Sequence, residues 1–295
     1  MSHNFPHLRL LAVAAAAALT LSACGSEEDN SSGGGGGGGD DASADLSLIS
    51  DGKLTVCSDI PYEPFEYEDE SAESGYAGFD IDLTSEIAKG LDLELAVKDA
   101  DFSGLQSGLA LNSGQCDMVA SAMTITEDRK KNLGFSDGYY DSLQSLLVPE
   151  GSDIKAIGDL DGKKVGVQQA TSGEAYAQEN ASGAQLVALP SNAEMVQAIK
   201  AGQVDALLQD KPVNEEIAST GGYQVVEEYD TGETYGFATK KDNQALLDAV
   251  NGELKELRDS GKYQEFYDEY FTVDGGGEES GDESSASDES SPAAS

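Results

Sequence analysis

The sequence predicts an α/β fold of two similar lobes with a cleft between them, and three observations carry that prediction. Short β-rich runs alternate with helical patterns through residues 46–273, the mark of mostly parallel sheets flanked by helices. The turn Asp51-Gly52-Lys53-Leu54-Thr55-Val56 is echoed by Asp161-Gly162-Lys163-Lys164-Val165-Gly166-Val167. The step Ser113-Gly114-Gln115-Cys116-Asp117-Met118 is echoed by Ala201-Gly202-Gln203-Val204-Asp205-Ala206. Each first pattern reads as a turn entering a strand. Each second reads as a helix closed by glycine and followed by a strand. Two echoes in one order describe two α/β units.

The elements follow in chain order. Residues 1–23 have the layout of a secretory signal: a short, alanine-rich apolar run behind Arg9, too short for a membrane span. It ends in Leu21-Ser22-Ala23-Cys24, which resembles a bacterial lipobox with Cys24 as the lipidated residue. Residues 24–45 then read as a flexible tether of Gly, Ser and acids, with almost nothing to bury. Strands are expected at 54–58, 118–121, 164–168, 185–189, 205–208 and 223–226. Helical segments are expected at 81–89, 105–111, 174–179 and 194–201. The last helical stretch, 243–271, carries Leu246, Leu247, Val250, Leu254 and Leu257 on one face and should pack back on the first lobe. The chain then crosses between lobes twice, near 139–143 and 230–235. Lobe 1 is 46–138 plus 236–273, and lobe 2 is 144–230. Residues 274–295 read as a solvated acidic tail.

Composition removes several functions. The net charge is −39, and most of the acidic excess falls within 46–273. Such a surface repels nucleic acid and anionic headgroups, so neither is expected as a partner. Both histidines, His3 and His7, lie in the expected signal. A mature chain without histidine has no Ser-His-Asp or Cys-His catalysis and lacks the commonest metal ligand. No phosphate-binding P-loop or dinucleotide fingerprint is present. No cofactor and no metal are expected. With Cys24 used for lipid, Cys57 and Cys116 remain. Export favours a disulfide between them, and two buried thiols are the alternative.

In open α/β sheets, ligands sit beyond the carboxyl ends of the strands. Those ends are Ser58 to Tyr62, Ser121 to Thr124, Gln168 to Gly173, and Gln209-Asp210. They are polar, small or aromatic, which suits a small zwitterion better than covalent chemistry.

Five segments carry a family resemblance: Ser58-Asp59-Ile60-Pro61-Tyr62-Glu63-Pro64-Phe65, Gly78-Phe79-Asp80-Ile81-Asp82-Leu83, Asp101-Phe102-Ser103-Gly104, Thr124-Ile125-Thr126-Glu127-Asp128-Arg129-Lys130-Lys131, and Phe135-Ser136-Asp137-Gly138-Tyr139-Tyr140. Together they make residues 50–271 resemble the polar amino acid family of ABC-transporter solute-binding proteins, the group of the glutamine- and lysine/arginine/ornithine-binding proteins. The resemblance implies a type II periplasmic-binding fold, hinge closure on a free amino acid, delivery to the membrane subunits of an ABC permease, and a monomer held at the outer face of the cell membrane by Cys24.

It also implies a site. Arg129 matches the family's arginine for the ligand α-carboxylate, where a guanidinium can donate two parallel hydrogen bonds. Thr124 matches the hydroxyl that bridges carboxylate and ammonium, and Ala122 adds its carbonyl to the ammonium. Thr171 and Ser172 precede a helix whose free N–H groups suit an anion. Asp210 matches the counter-ion of the α-ammonium. Tyr62 and Phe102 match the two aromatic faces that sandwich the side chain. Asp59 matches the position that reads its distal end. Gln168 and Gln209 stand where glutamine binders of the family carry a lysine and a histidine. Losing both cations leaves a more anionic pocket, suited to a basic or neutral polar amino acid. Two other readings stay open: a ligand-binding component of a sensor, and a cyclohexadienyl dehydratase-like enzyme using Asp59 or Asp210 as proton donor.

Overall fold

Two five-stranded sheets organise the chain. The structure is a computed structural model that describes residues 46–272; the expected signal, Cys24, the tether and the acidic tail lie outside the described residues. In chain order the elements are β1 (Lys53–Ser58), a small hairpin of β2 (Tyr67–Glu68) and β3 (Tyr76–Ala77), α1 (Phe79–Gly90), β4 (Glu94–Asp99), α2 (Phe102–Gln106), α3 (Leu109–Asn112), β5 (Met118–Val119) and β6 (Leu133–Phe135). Then come β7 (Tyr140–Pro149), β8 (Lys164–Gln168), α4 (Ser172–Asn180), β9 (Gln185–Leu189), α5 (Asn192–Lys200), β10 (Ala206–Asp210), α6 (Lys211–Ser219), β11 (Tyr223–Tyr235), β12 (Ala238–Lys240), α7 (Gln244–Ser260) and α8 (Lys262–Phe271).

The first sheet has the order β4-β1-β5-β12-β6 and the second β11-β7-β10-β8-β9. In each, a parallel half meets an antiparallel half. β1 runs parallel to β4 and β5, while β12 runs antiparallel to β5 and β6. β8 runs parallel to β9 and β10, while β7 runs antiparallel to β10 and β11. The mixed character comes from β12, a strand returning late in the chain, and from the two crossing strands β7 and β11.

The repeated motifs occupy equivalent places. The two Asp-Gly-Lys turns enter β1 and β8, and their glycines share a left-handed backbone, with φ +73 at Gly52 and +71 at Gly162. Gly114 and Gly202, after α3 and α5, do the same at +72 and +65. The aspartates that follow act alike: Asp117 accepts from the Thr55 N–H at 2.9 Å and Asp205 from the Lys164 N–H at 2.8 Å. Each carboxylate thus ties the strand it precedes to that strand's parallel neighbour.

Glycine also divides two expected helices. The 105–111 segment becomes α2 and α3, broken at Gly108 (φ +79), and the 243–271 segment becomes α7 and α8, broken at Gly261 (φ +81). A left-handed glycine ends a helix without a Cβ clash. On α7, Leu246, Val250, Leu254 and Leu257 are buried, in one core with Leu83 and Ile87 of α1 and Leu54 and Val56 of β1. Fully burying such a side chain stabilises the fold by about 1.5–3 kcal/mol.

The chain passes from one sheet to the other twice, and the passages are paired. Tyr140, Asp141 and Ser142 of β7 lie opposite Tyr235, Thr234 and Glu233 of β11. Between Tyr229 and Glu233 the ladder shifts register. Cys57 and Cys116 are joined by a disulfide whose Cα atoms lie 5.8 Å apart, inside the range a bridge can span.

Candidate functional site

The carboxyl ends of β1, β5, β8 and β10 converge on one small cavity. Of the residues singled out from the sequence, Asp59, Tyr62, Phe102, Ala122 and Thr124 line it from the first lobe, with Arg129 beside them. Gln168, Thr171, Ser172 and Asp210 line it from the second. Gln209 is not in this lining: its amide donates to Asn214 Oδ1 at 3.0 Å, and it lines a smaller void together with Tyr62, Gln168, Thr171 and Asp210.

Arg129 follows a turn in which Thr126 Oγ1 accepts its backbone N–H at 3.2 Å. The chain there forms a single 3-10 turn, Arg129–Lys131. The side chain is only 5 % exposed. Its guanidinium donates to the Thr124 carbonyl at 2.8 Å and to the Ala170 carbonyl of the opposite lobe at 3.2 Å. It lies 5.2 Å from the Phe102 ring centroid. Burial lowers its pKa to about 10, against the pull of Glu233 and Asp210, so it stays cationic at neutral pH. Among the described residues no carboxylate forms an ion pair with it. A buried cation held by carbonyls and a ring face, with no paired acid, has the chemistry to take an anionic partner.

Asp210 faces the same cavity from the end of β10. It accepts from the Tyr62 hydroxyl at 2.6 Å and from the Gln144 amide. Burial, and then the charge of Glu233, push its pKa up to about 7. Asp59 accepts from the Gln168 amide. Burial pushes its pKa up to about 6, and Asp99, Asp101 and Glu194 add to the rise. Those neighbouring carboxylates add negative charge near that end of the cavity.

Between these groups runs the Ser121–Thr124 segment. Ala122 takes a left-handed φ of +42, a conformation costing roughly 1–2 kcal/mol for a residue with a Cβ. Its N–H donates to Asp80 Oδ2 at 2.9 Å, which the Tyr139 hydroxyl also reaches at 2.7 Å. Ser121 Oγ accepts the Asp59 N–H at 3.0 Å and donates to Glu66 Oε1 at 2.7 Å. Glu66 and Asp80 are both fully buried. Burial raises both pKa values, that of Glu66 well above its usual range and that of Asp80 to about 7.

Thr171 caps α4, accepting the Glu174 N–H at 3.1 Å and donating to the Gln168 carbonyl at 2.8 Å. The hydroxyls of Thr124 and Ser172 lie 3.2 Å apart. Both donate to Glu233 Oε2 at 3.0 Å. Ser121, Glu66, Asp80, Gln144 and Glu233 were not singled out from the sequence as site residues. Ser121 and Asp80 lay inside segments already marked. Glu66, Gln144 and Glu233 gave no signal, because acids in so acidic a chain read as surface, and the crossing strands read as connections.

Residues 54–273 match the family described as bacterial extracellular solute-binding proteins, family 3. The chain is 37% identical over 202 residues to the ABC transporter glutamine-binding protein GlnH of Bacillus subtilis, covering 67% of this chain and 73% of that protein. It is 32% identical over 227 residues to the lysine/arginine/ornithine-binding periplasmic protein of Escherichia coli, covering 72% and 85%. Among solved structures, an ancestral arginine-binding protein bound to glutamine superposes with a TM-score of 0.71 at 37% identity, covering 76% of this chain and all of that one. These relatives are named as binding proteins, not enzymes. With a family match across nearly all of the described residues, and a cavity built at the strand ends where the sequence motifs converge, the chain belongs to family 3 of the bacterial extracellular solute-binding proteins.

Proposed function

We propose that this chain captures a free polar or basic L-amino acid between its lobes and delivers it to the permease of an ABC importer. The observation that carries this reading is the pair Arg129 and Asp210. One is a buried cation without an ion pair, the other a buried carboxylate, and they line one cavity from different lobes. An α-carboxylate and an α-ammonium on one carbon bridge such a pair only when the cleft is closed, so the ligand favours closure. Lobe 1 is 46–138 with 236–273, lobe 2 is 144–230, and the segments between them act as the hinge. The acids around Asp59 favour a cationic side chain at the distal end; a neutral polar side chain is the second choice. The names of the glutamine and lysine/arginine/ornithine binders support both.

Delivery places the protein outside the cytoplasm as a monomer, tethered through lipidated Cys24. Wild type should then partition with membranes and Cys24→Ala should not; equal partitioning would remove the anchor. The cleft itself is tested by titrating Arg129→Ala and Asp210→Ala with the amino acid that most stabilises wild type in a thermal-shift screen. A ligand at about 100 times its Kd stabilises by about 2.7 kcal/mol. Each substitution leaves a ligand charge unpaired, so affinity should fall at least ~100-fold. Near wild-type affinity in both variants would move the site elsewhere.

A further inference from the structure

Glu233 does not line the cavity but touches polar groups of it from both lobes. It is 8 % exposed and sits where β11 crosses between the sheets. Its Oε2 accepts from Thr124 Oγ1 of one lobe and Ser172 Oγ of the other, each at 3.0 Å. The Gln144 amide lies 3.3 Å from Oε1 and 3.2 Å from Oε2, and also donates to Asp210 Oδ1.

Hydrogen counting gives this arrangement a consequence. A hydroxyl has one hydrogen and two lone pairs, and an ionised carboxylate only accepts. When Thr124 and Ser172 both give their hydrogens to Glu233, they have only lone pairs left for the cleft. The same acid fixes Gln144: with carboxylates on both sides, its NH₂ group must face them, and its Oε1 is left without a partner among the described residues. We infer that Glu233 is a positioning residue that turns the Thr124 and Ser172 hydroxyls into acceptors, so that this wall of the cleft recognises a primary ammonium and not a carboxylate. The inference rests on the amino-acid reading of the cleft and changes one part of it. Thr124, expected from the resemblance to bridge both ligand charges, serves the ammonium alone. The carboxylate is left to Arg129 and to backbone donors.

The test compares ligands that differ only in the amine. L-Arginine is measured against its des-amino counterpart δ-guanidinovalerate, and L-glutamine against glutaramate, by calorimetry or competition. In Glu233→Ala the hydroxyls are free to turn their hydrogens towards the cleft. The preference for the amine should then fall at least ~10-fold, with des-amino binding unchanged or tighter. Glu233→Gln keeps an acceptor oxygen and should retain most of the preference. Thr124→Val should weaken the amino acids and spare the des-amino ligands. An unchanged preference in Glu233→Ala would overturn the inference. So would a parallel loss of both ligand types, a collapse in Glu233→Gln as deep as in Glu233→Ala, or a Thr124→Val defect shared equally by both types. Failure of wild type to bind any of the twenty amino acids is a different result and would defeat the reading of the cleft itself.

Discussion

The Tyr62 hydroxyl donates to Asp210 Oδ2 at 2.6 Å, and the two residues come from opposite lobes. The carboxylate proposed for a ligand ammonium is therefore also an acceptor for a hydrogen bond that joins the two lobes. A hydrogen bond to a charged group contributes about 1.5–3 kcal/mol, enough to bias an open–closed equilibrium tenfold or more.

Tyr62→Phe should open the ligand-free protein. Its ring is retained, so the aromatic face of the site stays. Small-angle scattering should report a larger radius of gyration for ligand-free Tyr62→Phe than for ligand-free wild type. Both should become equally compact at saturating ligand. Identical ligand-free scattering would show that this contact does not hold the cleft closed.

Acid should stabilise the ligand-free protein. Asp80 and Asp210 have folded pKa values near 7, raised from 3.8 by burial. A carboxylate with a raised folded pKa binds its proton more tightly in the folded state. Its contribution is complete below the unfolded pKa and is lost as pH rises through the folded value. The ligand-free thermal midpoint should therefore rise as pH falls from ~8 to ~5. Asp210 faces Glu233, Tyr62 and Tyr235, and Arg129 is the cation that feels its charge. Asp210→Asn and Asp80→Asn should each flatten the slope. A slope that neither substitution changes would assign the effect to repulsion across the acidic surface.

The disulfide should matter to stability and little to recognition. It joins Cys57 to Cys116 across 59 residues of chain, outside the cavity lining. Closing such a loop stabilises by about 2–4 kcal/mol through the unfolded chain. Cys57→Ser with Cys116→Ser should lower the unfolding free energy by that amount and leave ligand affinity within about threefold. Two free thiols in non-reduced wild type, counted by mass spectrometry, would contradict the bond.

What the sequence made legible was local or repeated. The aspartates of the two Gly-Gln-x-Asp steps could be matched because the chain writes the same instruction twice, and both make the same strand contact. The strand-end loops could be found because open α/β sheets place ligands there. Gln209 was placed in the cleft by its match to a family position. Adjacent residues in a strand face opposite ways, so it lines a small void shared with Tyr62, Gln168, Thr171 and Asp210 and not the cavity that Asp210 also lines. Glu233 and Gln144 were invisible for a different reason. Their contact follows from pairing two strands far apart in sequence, with a register shift between Tyr229 and Glu233, and no local pattern encodes a shifted register. Glu66 and Asp80 were missed because acids in so acidic a chain read as surface, whereas both are fully buried.

The pairing of Tyr140–Ser142 with Glu233–Tyr235 sets how the molecule can move. Two independent strands between lobes would allow sliding and twisting as well as swinging. Two strands sewn together by ladder hydrogen bonds behave as one ribbon, which resists shear along its length and flexes about its width. The Thr234 hydroxyl adds a stitch to Asp141 at 2.7 Å within that ribbon, one residue from the acid that organises the cleft. With the proposed hinge in this ribbon, motion would reduce to a single coordinate, and occupancy of the cavity would become an angle. On the function proposed above, a permease would have only to measure that angle, and would never need to touch the solute.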